Sequence, residues 1–300
     1  MALFAWFIHL LDLFCLHLFP ALCASCPEGL CDGAHAKIAG VENLSSSLTP
    51  TLIQTAYVIL PAYNEAEALS ALVPTIARTL QGFKKPVRIL VVNDGSSDGT
   101  IDLISSLAKT HPVQELRHTV NRGYGAALAT GLRWVAQNAH SADAAVTLDA
   151  DNTQDPGYIP SLLTMIELGY DVVTASYTME GGQATGIPAL RRVMSGVINT
   201  LFRLICRYPG IETYTNGFRG YRAAAIQRVS QIYGEALIEE AGFPGGTEFF
   251  LKVLGAGGKA AQVPFKLHYE RRGKGSKIRL VATIQRYLKL LSNAQRYAHA

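Results

Sequence analysis

The sequence predicts an α/β fold in which a doubly wound, mostly parallel sheet forms a single domain. From residue 56 onward, short apolar runs rich in β-branched residues alternate with segments of helical length, a pattern typical of consecutive strand–helix units. Each run ends in a short polar or glycine-rich turn, and short connections of this kind join parallel strands by right-handed crossovers. Ligands bind such sheets beyond the carboxyl ends of the strands, so the residues that follow the runs are the candidates for a site.

The predicted strands are short and continuously apolar, which indicates burial on both faces. Their bounds are Tyr57–Leu60, Val87–Val92, Arg117–Val120 and Ala144–Leu148. A helix is predicted to follow each of the first three. Asn64 can cap the first helix, Asp98 and its neighbours Gly99 and Thr100 open the second, and the third covers Gly123–Ala136.

Composition separates the chain into a body and two ends. The 300 residues are 49% hydrophobic with a net charge of +4, which supports a large core and does not favour a nucleic-acid partner. Residues 1–25 are apolar but interrupted by polar residues, so they predict a leader or a marginal membrane anchor. Residues 26–52 predict a linker, 53–277 the main domain, and 278–300 an amphipathic basic helix.

The location of the protein is predicted from its ends and its cysteines. The apolar face of the C-terminal helix can lie at a membrane surface or pack against the domain, and its sequence fits both. The body of the chain has one cysteine, Cys206, which fits a reducing compartment. We therefore predict a membrane-associated protein whose main domain faces the cytoplasm.

The strongest candidate site is the pair Asp149 and Asp151, which directly follows the fourth strand. Two carboxylates separated by one residue at the end of a buried strand can converge on one point. Hard cations such as Mg²⁺ or Mn²⁺ prefer oxygen ligands and accept substrate phosphates in their remaining positions. An Asp-x-Asp sequence alone is usually a solvated turn, but its position after a strand favours a cation site.

Three other turns carry candidate nucleotide contacts. Tyr63 can stack on a base and Glu65 can accept hydrogen bonds from it, although an ordinary strand-to-helix turn explains both residues. Asp94 ends the second strand and can hold a base edge or ribose hydroxyls. Gly123 lies in a glycine-rich turn, where close approach to a ligand and a plain tight turn both fit. The histidines, including His118, lack ligand spacing, so histidine chemistry is not indicated.

In combination, these motifs resemble the inverting family 2 glycosyltransferases, which have the Rossmann-like glycosyltransferase A fold. The motifs are PAYNE at 61–65, VVNDGSSDGT at 91–100, NRGYGAA at 121–127 and LDADNTQDP at 148–156. The resemblance covers about Tyr57 to about Tyr287. Within the family, the sequence looks most similar to dolichol-phosphate mannose synthases and related polyprenyl-phosphate glycosyltransferases.

The resemblance implies roles for individual residues on the donor side. The nucleotide would be bound by Pro61, Tyr63, Glu65, Asp94 and Gly123. The metal, Mg²⁺ or Mn²⁺, would be held by Asp149, Asp151 and Gln154, although in close relatives the glutamine lies one residue nearer to the second aspartate.

The resemblance also implies an acceptor side. Arg191 and Ser195, spaced i, i+4 on one helical face, match a pair that binds the acceptor phosphate in relatives, and Arg219 of the TNGFR segment is assigned there as well. An acceptor-side arginine expected before Gly181 is Tyr177 in this chain. Arg272 belongs to a segment that resembles the family's Arg-x-x-Gly-x-Ser-Lys and is a further catalytic candidate.

The implied reaction is an in-line displacement that moves a hexose from GDP-mannose or UDP-glucose to a polyprenyl or dolichyl phosphate. An ionised phosphate acceptor needs no strong base. A family 2 enzyme acting on a sugar hydroxyl would need a carboxylate base, for which Glu248 or Asp155 are candidates. A silent nucleotide- or lipid-binding module is a second alternative, and the intact Asp149 and Asp151 argue against it.

Overall fold

The protein is described by a computed structural model that covers residues 49–271 and 280–297, which form one domain. The strands are β1 (Ala56–Ala62), β2 (Val87–Asp94), β3 (Val113–His118), β4 (Ala144–Thr147), β5 (Val172–Ser176), β6 (Gln183–Thr185), β7 (Arg219–Arg222), β8 (Ala260–Pro264) and β9 (Lys266–His268). The helices are α1 (Ala66–Thr79), α2 (Thr100–Leu107), α3 (Tyr124–Asn138), α4 (Ile159–Glu167), α5 (Ala189–Cys206), α6 (Ala223–Tyr233), α7 (Gly245–Gly255) and α8 (Leu280–Tyr297).

The central sheet has the strand order β3-β2-β1-β4-β7-β5-β8. β7 runs antiparallel between β4 and β5, and the other neighbours are parallel. Alternate residues of β1 enter cores on opposite faces: Ile59 packs with α3, and Val58 packs with α1 and α4. The predicted doubly wound, mostly parallel sheet is therefore confirmed. β6 and β9 form a separate parallel pair.

Two local predictions differ from the structure. The third strand is Val113–His118 rather than Arg117–Val120; it is an edge strand whose mixed composition lacks the continuous apolar signal of the inner strands. Asn64 does not cap α1, which has no side-chain cap. The Asn64 side-chain oxygen instead accepts a hydrogen bond from the backbone N–H of Ser97 at 2.8 Å. This contact joins the turns after β1 and β2.

The C-terminal helix α8 belongs to the domain. It packs against α5 and α7 and buries Tyr287, Leu291 and Ala294 in the core on that side of the sheet. Of the two interpretations of its apolar face, the structure shows packing against the domain. No helix within 49–271 and 280–297 is long and apolar enough to cross a membrane. The predicted leader at 1–25 and most of the linker lie outside the described residues.

Candidate active site

A cleft of about 680 Å³ opens at the carboxyl ends of β1, β2 and β4, where ligands bind in open α/β sheets. It is lined by residues predicted for both substrates, namely Pro61, Tyr63, Glu65, Asp94, Gly123, Asp149, Asp151, Gln154, Arg191 and Ser195. Arg219 does not line it, and Arg272 lies outside the described residues. The donor-side and acceptor-side candidates therefore share one space.

Asp149 is held in the cleft by two hydrogen bonds to its carboxylate. The Tyr124 hydroxyl donates to Oδ1 at 3.1 Å, and the Gln154 amide donates to Oδ2 at 3.0 Å. Burial and the nearby Asp149 charge raise the pKa of Tyr124 well above its usual value, so this hydroxyl stays protonated and remains a donor. A Cβ atom at Gly217 would lie 2.8 Å from the Tyr124 oxygen, so a larger residue there would displace the hydroxyl that donates to Asp149.

Asp151 provides the second carboxylate. Its Oδ1 accepts hydrogen bonds from the hydroxyl and the backbone N–H of Thr153, at 2.7 and 3.2 Å. Among the described residues, no cluster of three or more His, Cys, Asp or Glu side chains could hold an ion. A cation at Asp149 and Asp151 would therefore take its other oxygens from substrate phosphates and water, as Mg²⁺ commonly does. The two carboxylates fit the predicted Mg²⁺ or Mn²⁺.

Gln154, predicted as a metal ligand, lies in the cleft beside Asp149. Its amide oxygen accepts a hydrogen bond from the backbone N–H of Asp149 at 3.0 Å. A backbone N–H can only donate, so this contact fixes the orientation of the amide. The NH₂ group consequently faces the Asp149 carboxylate and the Asn216 oxygen. These contacts orient Asp149. The Gln154 oxygen keeps a second lone pair, so its role as a metal ligand stays a prediction.

Asp94 is almost fully buried and organises the turn that follows β3. Its Oδ1 contacts His118 Nδ1 at 2.6 Å and accepts from the backbone N–H of Arg122 at 2.9 Å. Its Oδ2 accepts from the backbone N–H of Gly123 at 2.8 Å. Since each carboxylate oxygen has two lone pairs, Oδ2 retains one acceptor position that can face a ligand.

His118 contacts the candidate site residue Asp94, and the sequence did not reveal this contact. Its Nε2 lies 2.9 Å from the Thr130 hydroxyl, so both ring nitrogens are engaged. His118 is the register partner of Asp94 in the β2–β3 pair. A correct alignment of these two strands is the signal that could have identified it, and the misplaced third strand concealed it.

Residues 239–243, which we name the wall segment, form the other side of the glycine-rich turn. The backbone N–H of Gly125 donates to the Ala241 oxygen at 2.8 Å. A Cβ atom at Gly125 would lie 1.9 Å from the Glu240 carbonyl oxygen, so no larger residue fits there. Phe243 packs against Tyr124 with 5.2 Å between ring centroids. The turn is thus held between Asp94 and the wall segment.

The two residues that line the cleft and are predicted to bind the acceptor phosphate, Arg191 and Ser195, lie on α5. Ser195 Oγ lies 3.0 Å from the Tyr177 hydroxyl and 3.3 Å from the Thr215 hydroxyl. Arg191 donates a hydrogen bond to the Tyr269 hydroxyl, and its guanidinium lies 5.2 Å from the centre of that ring. Arg191 and these hydroxyl groups line the same cleft, and a cation together with hydroxyl donors can bind a phosphate.

Arg219 is not available to an acceptor phosphate, contrary to its prediction. It is fully buried in β7, and its guanidinium donates to the backbone oxygens of Gly246 and Tyr214. It also lies 4.5 Å from the ring centroid of Phe250. A buried cation is tolerated when its donors are satisfied, and here they join β7 to the start of α7.

The two carboxylates considered as bases for a sugar hydroxyl lie away from the cleft. Glu248 is buried and paired with Lys252 at 2.6 Å. Asp155 is half-buried and accepts from the backbone N–H of Gly157 at 2.8 Å. The acidic residues that line the cleft are all among the donor-side candidates, and they are Glu65, Asp94, Asp149 and Asp151.

Comparison of the sequence with known proteins agrees with this geometry. The profile of "Glycosyl transferase family 2" matches residues 57–230. The polyprenol monophosphomannose synthase of Mycolicibacterium smegmatis is 34% identical over 61% of this chain and 67% of the relative. The dolichol-phosphate mannosyltransferase of Pyrococcus furiosus is 30% identical over 72% of this chain and 57% of the relative. The chain therefore spans between 57% and 67% of the length of these two proteins.

Solved structures show the same fold. Glucosyl-3-phosphoglycerate synthase from Mycobacterium tuberculosis, in complex with Mn²⁺, UDP and glucosyl-3-phosphoglycerate, superimposes with a TM-score of 0.59 at 19% identity, covering 88% of this chain and 85% of that one. The same synthase with Mn²⁺ and UDP-glucose gives a TM-score of 0.60 at 18% identity, covering 88% and 84%. This likeness confirms the predicted glycosyltransferase A fold.

Proposed function

Because the chain belongs to glycosyl transferase family 2 and is related to polyprenyl-phosphate mannosyltransferases, we propose that it transfers a hexose, with inversion, from a nucleotide sugar to a polyprenyl phosphate. The observation that carries the proposal is the pairing of two half-sites in one cleft. Asp149 and Asp151 lie on the donor side, and Arg191 and Ser195 lie on the acceptor side.

The donor half would bind the nucleotide sugar through its diphosphate. Asp149 and Asp151 would hold Mg²⁺ or Mn²⁺, which neutralises charge on the departing nucleoside diphosphate. Tyr124 and Gln154 keep the Asp149 carboxylate in one orientation, and such fixed geometry is what a transition state requires. Asp94 holds the turn on which the nucleotide would rest.

The acceptor half would place a phosphate oxygen for attack on the anomeric carbon. The bond from that carbon to the acceptor oxygen forms as the bond to the donor phosphate breaks, and the diphosphate leaves with the electron pair. Arg191 would offset the acceptor charge, and Ser195 would donate to a second oxygen. A phosphate ionised near neutral pH needs no general base, in agreement with the donor-side position of the acidic residues in the cleft.

We expect the purified full-length chain to convert polyprenyl phosphate to a hexosylated lipid when Mn²⁺ or Mg²⁺ and either GDP-mannose or UDP-glucose are supplied. Mass spectrometry of the lipid fraction identifies the product, and NMR of the anomeric proton determines whether the configuration is inverted. Transfer to a sugar hydroxyl but not to the lipid would favour the alternative acceptor. Absence of both transfer and metal-dependent donor hydrolysis would indicate a silent binding module.

A membrane surface is also predicted as a partner. Because the apolar side of α8 is buried in the domain, we propose that the membrane contacts the outer face of α5 instead. This outer face consists of the exposed residues Leu190, Val193 and Leu204 with Arg192 and Arg203 beside them. α5 contains no acidic residue. Large exposed apolar side chains flanked by arginines are typical of helices that lie on anionic lipid. Arg191 and Ser195, the residues proposed for the acceptor phosphate, lie on the same helix and line the cleft.

Replacing Val193 and Leu204 together with glutamine is expected to slow transfer to long-chain polyprenyl phosphate in anionic vesicles, because apolar contact with the surface is lost. Transfer to a water-soluble, short-chain prenyl phosphate should be unchanged. Ile232→Gln alters an exposed apolar residue on α6 and serves as the control. Equal loss with both acceptors would place the effect in the active site rather than at the membrane.

A further inference from the structure

A buried ion pair lies behind the donor half of the cleft and is not explained by the chemistry described above. Lys252 is fully buried and donates from Nζ to Glu248 Oε1 at 2.6 Å and to the Ala236 backbone oxygen at 2.5 Å. Its Nζ also lies 4.6 and 5.2 Å from the ring centroids of Tyr233 and Tyr297. None of these residues lines the cleft.

The second carboxylate oxygen of Glu248 is directed at the wall segment. The backbone N–H of Glu239 donates to it at 3.0 Å, and the backbone N–H of Glu240 donates to it at 2.8 Å. Two consecutive backbone donors on one buried carboxylate oxygen fix the path of the chain at the start of the wall segment. Lys252 compensates the charge of that carboxylate and keeps it in place.

The wall segment transmits this constraint to the donor site. Its Ala241 oxygen accepts the Gly125 backbone N–H, and the adjacent Gly123 backbone N–H is bound by Asp94. Its Phe243 ring packs on Tyr124, the residue that donates to Asp149. A shift in the path of residues 239–243 would therefore move both the glycine-rich turn and the support of the candidate metal ligand.

Stability alone is a weak explanation for such a pair. Buried ion pairs can often be replaced by apolar residues of similar size with little loss of stability, because their desolvation offsets their attraction. A pair that served only stability would not need its carboxylate to bind two main-chain donors of a segment that borders the cleft.

We infer that Glu248 and Lys252 are positioning residues that set the donor half of the cleft through the wall segment. This inference rests on the proposed function, since it assumes that a nucleoside diphosphate binds there. It also predicts which chemical feature of the pair matters. The hydrogen-bond acceptor offered to the Glu239 and Glu240 backbone is essential, whereas the ionic attraction to Lys252 is not.

Two double variants of the full-length chain test this prediction. Glu248→Gln with Lys252→Met is a neutral pair that keeps an amide oxygen for the wall segment. Glu248→Leu with Lys252→Met is a neutral pair of similar size without an acceptor. Calorimetric titration of UDP and GDP in the presence of Mn²⁺ measures the donor half without requiring transfer, and thermal unfolding reports stability.

We expect the leucine variant to bind the preferred nucleotide about tenfold more weakly than the glutamine variant, since hydrogen bonds that position the site are lost. The KM for polyprenyl phosphate should agree between the two variants to within about twofold, because Arg191 and Ser195 are untouched. Leu163→Ala, in the core on the opposite face of the sheet, provides a destabilised control with normal nucleotide affinity.

Equal nucleotide affinity in the two double variants would overturn the inference. The inference would also be overturned if the nucleotide Kd and the KM for polyprenyl phosphate changed equally and in proportion to the loss of thermal stability. Such changes would reflect stability alone. Failure of the wild-type chain to bind either UDP or GDP would instead refute the proposed function and is therefore distinguishable from failure of the inference.

Discussion

Asp151→Asn is expected to reduce hexose transfer by about a hundredfold or more, the loss typical of removing a group that stabilises transition-state charge. Asparagine keeps the side-chain oxygen that accepts from Thr153, so the turn should remain intact while a charged ligand oxygen is lost. Calorimetry should show that Mn²⁺ no longer strengthens nucleotide-sugar binding in this variant.

The neighbouring Asp155 offers a matched control for that experiment. It lies in the same motif but outside the cleft, where it binds the backbone of Gly157. Asp155→Asn should leave Mn²⁺-dependent binding and turnover near normal. Near-normal transfer by the Asp151 variant, or full wild-type activity in a chelator, would remove the metal from the proposed mechanism.

Arg191→Ala is expected to raise the KM for a prenyl phosphate by roughly tenfold to a hundredfold, as a charge-assisted contact to phosphate is lost. The affinity for the nucleotide sugar should be unchanged because Arg191 is proposed to contact the acceptor and not the donor. Arg191→Lys should restore part of the loss, since an ammonium group carries the charge without the planar fork of donors. Steady-state kinetics with both substrates varied give the two constants separately.

Arg192→Ala is the matched control for Arg191. The two residues are adjacent on α5, but Arg192 is exposed on its outer face. A short-chain, water-soluble prenyl phosphate should therefore be used, so that membrane contact does not enter the comparison. If Arg191→Ala leaves the KM for the prenyl phosphate unchanged and a sugar hydroxyl is the better acceptor, the polyprenyl-phosphate proposal is wrong.

The fold, and the position of the candidate nucleotide and metal residues at one edge of the sheet, could be predicted from the sequence alone. Continuous apolar runs identify inner strands of a parallel sheet, and carboxyl ends of such strands meet at one edge. Asp94, Asp149 and Glu65 could therefore be placed near one another without coordinates, because each lies at or just beyond the end of a strand. The pattern of apolar runs is sufficient for this placement, because the placement depends only on where each strand ends.

The positions of several other side chains could not be predicted without the tertiary structure. Arg219 belongs to the TNGFR segment, from which a phosphate contact was predicted. However, β7 lies antiparallel between β4 and β5, and the Arg219 side chain is buried in the core. His118 meets Asp94 only through the register of two strands. Glu248 is occupied by Lys252 and by a segment that precedes it in the chain. The placements of Arg219 and His118 join distant parts of the sequence, so no local pattern specifies them. Glu248 and Lys252 are spaced i, i+4 on one helix, but that spacing does not specify that the pair is buried.

The C-terminal helix α8 also could not be placed from its sequence, because an amphipathic pattern does not show what covers its apolar side. An apolar stripe gains free energy by leaving water, whether it is covered by lipid or by protein. The sequence of α8 therefore fits a membrane and a domain core equally. Its contacts with α5 and α7 show that the apolar side packs against the core.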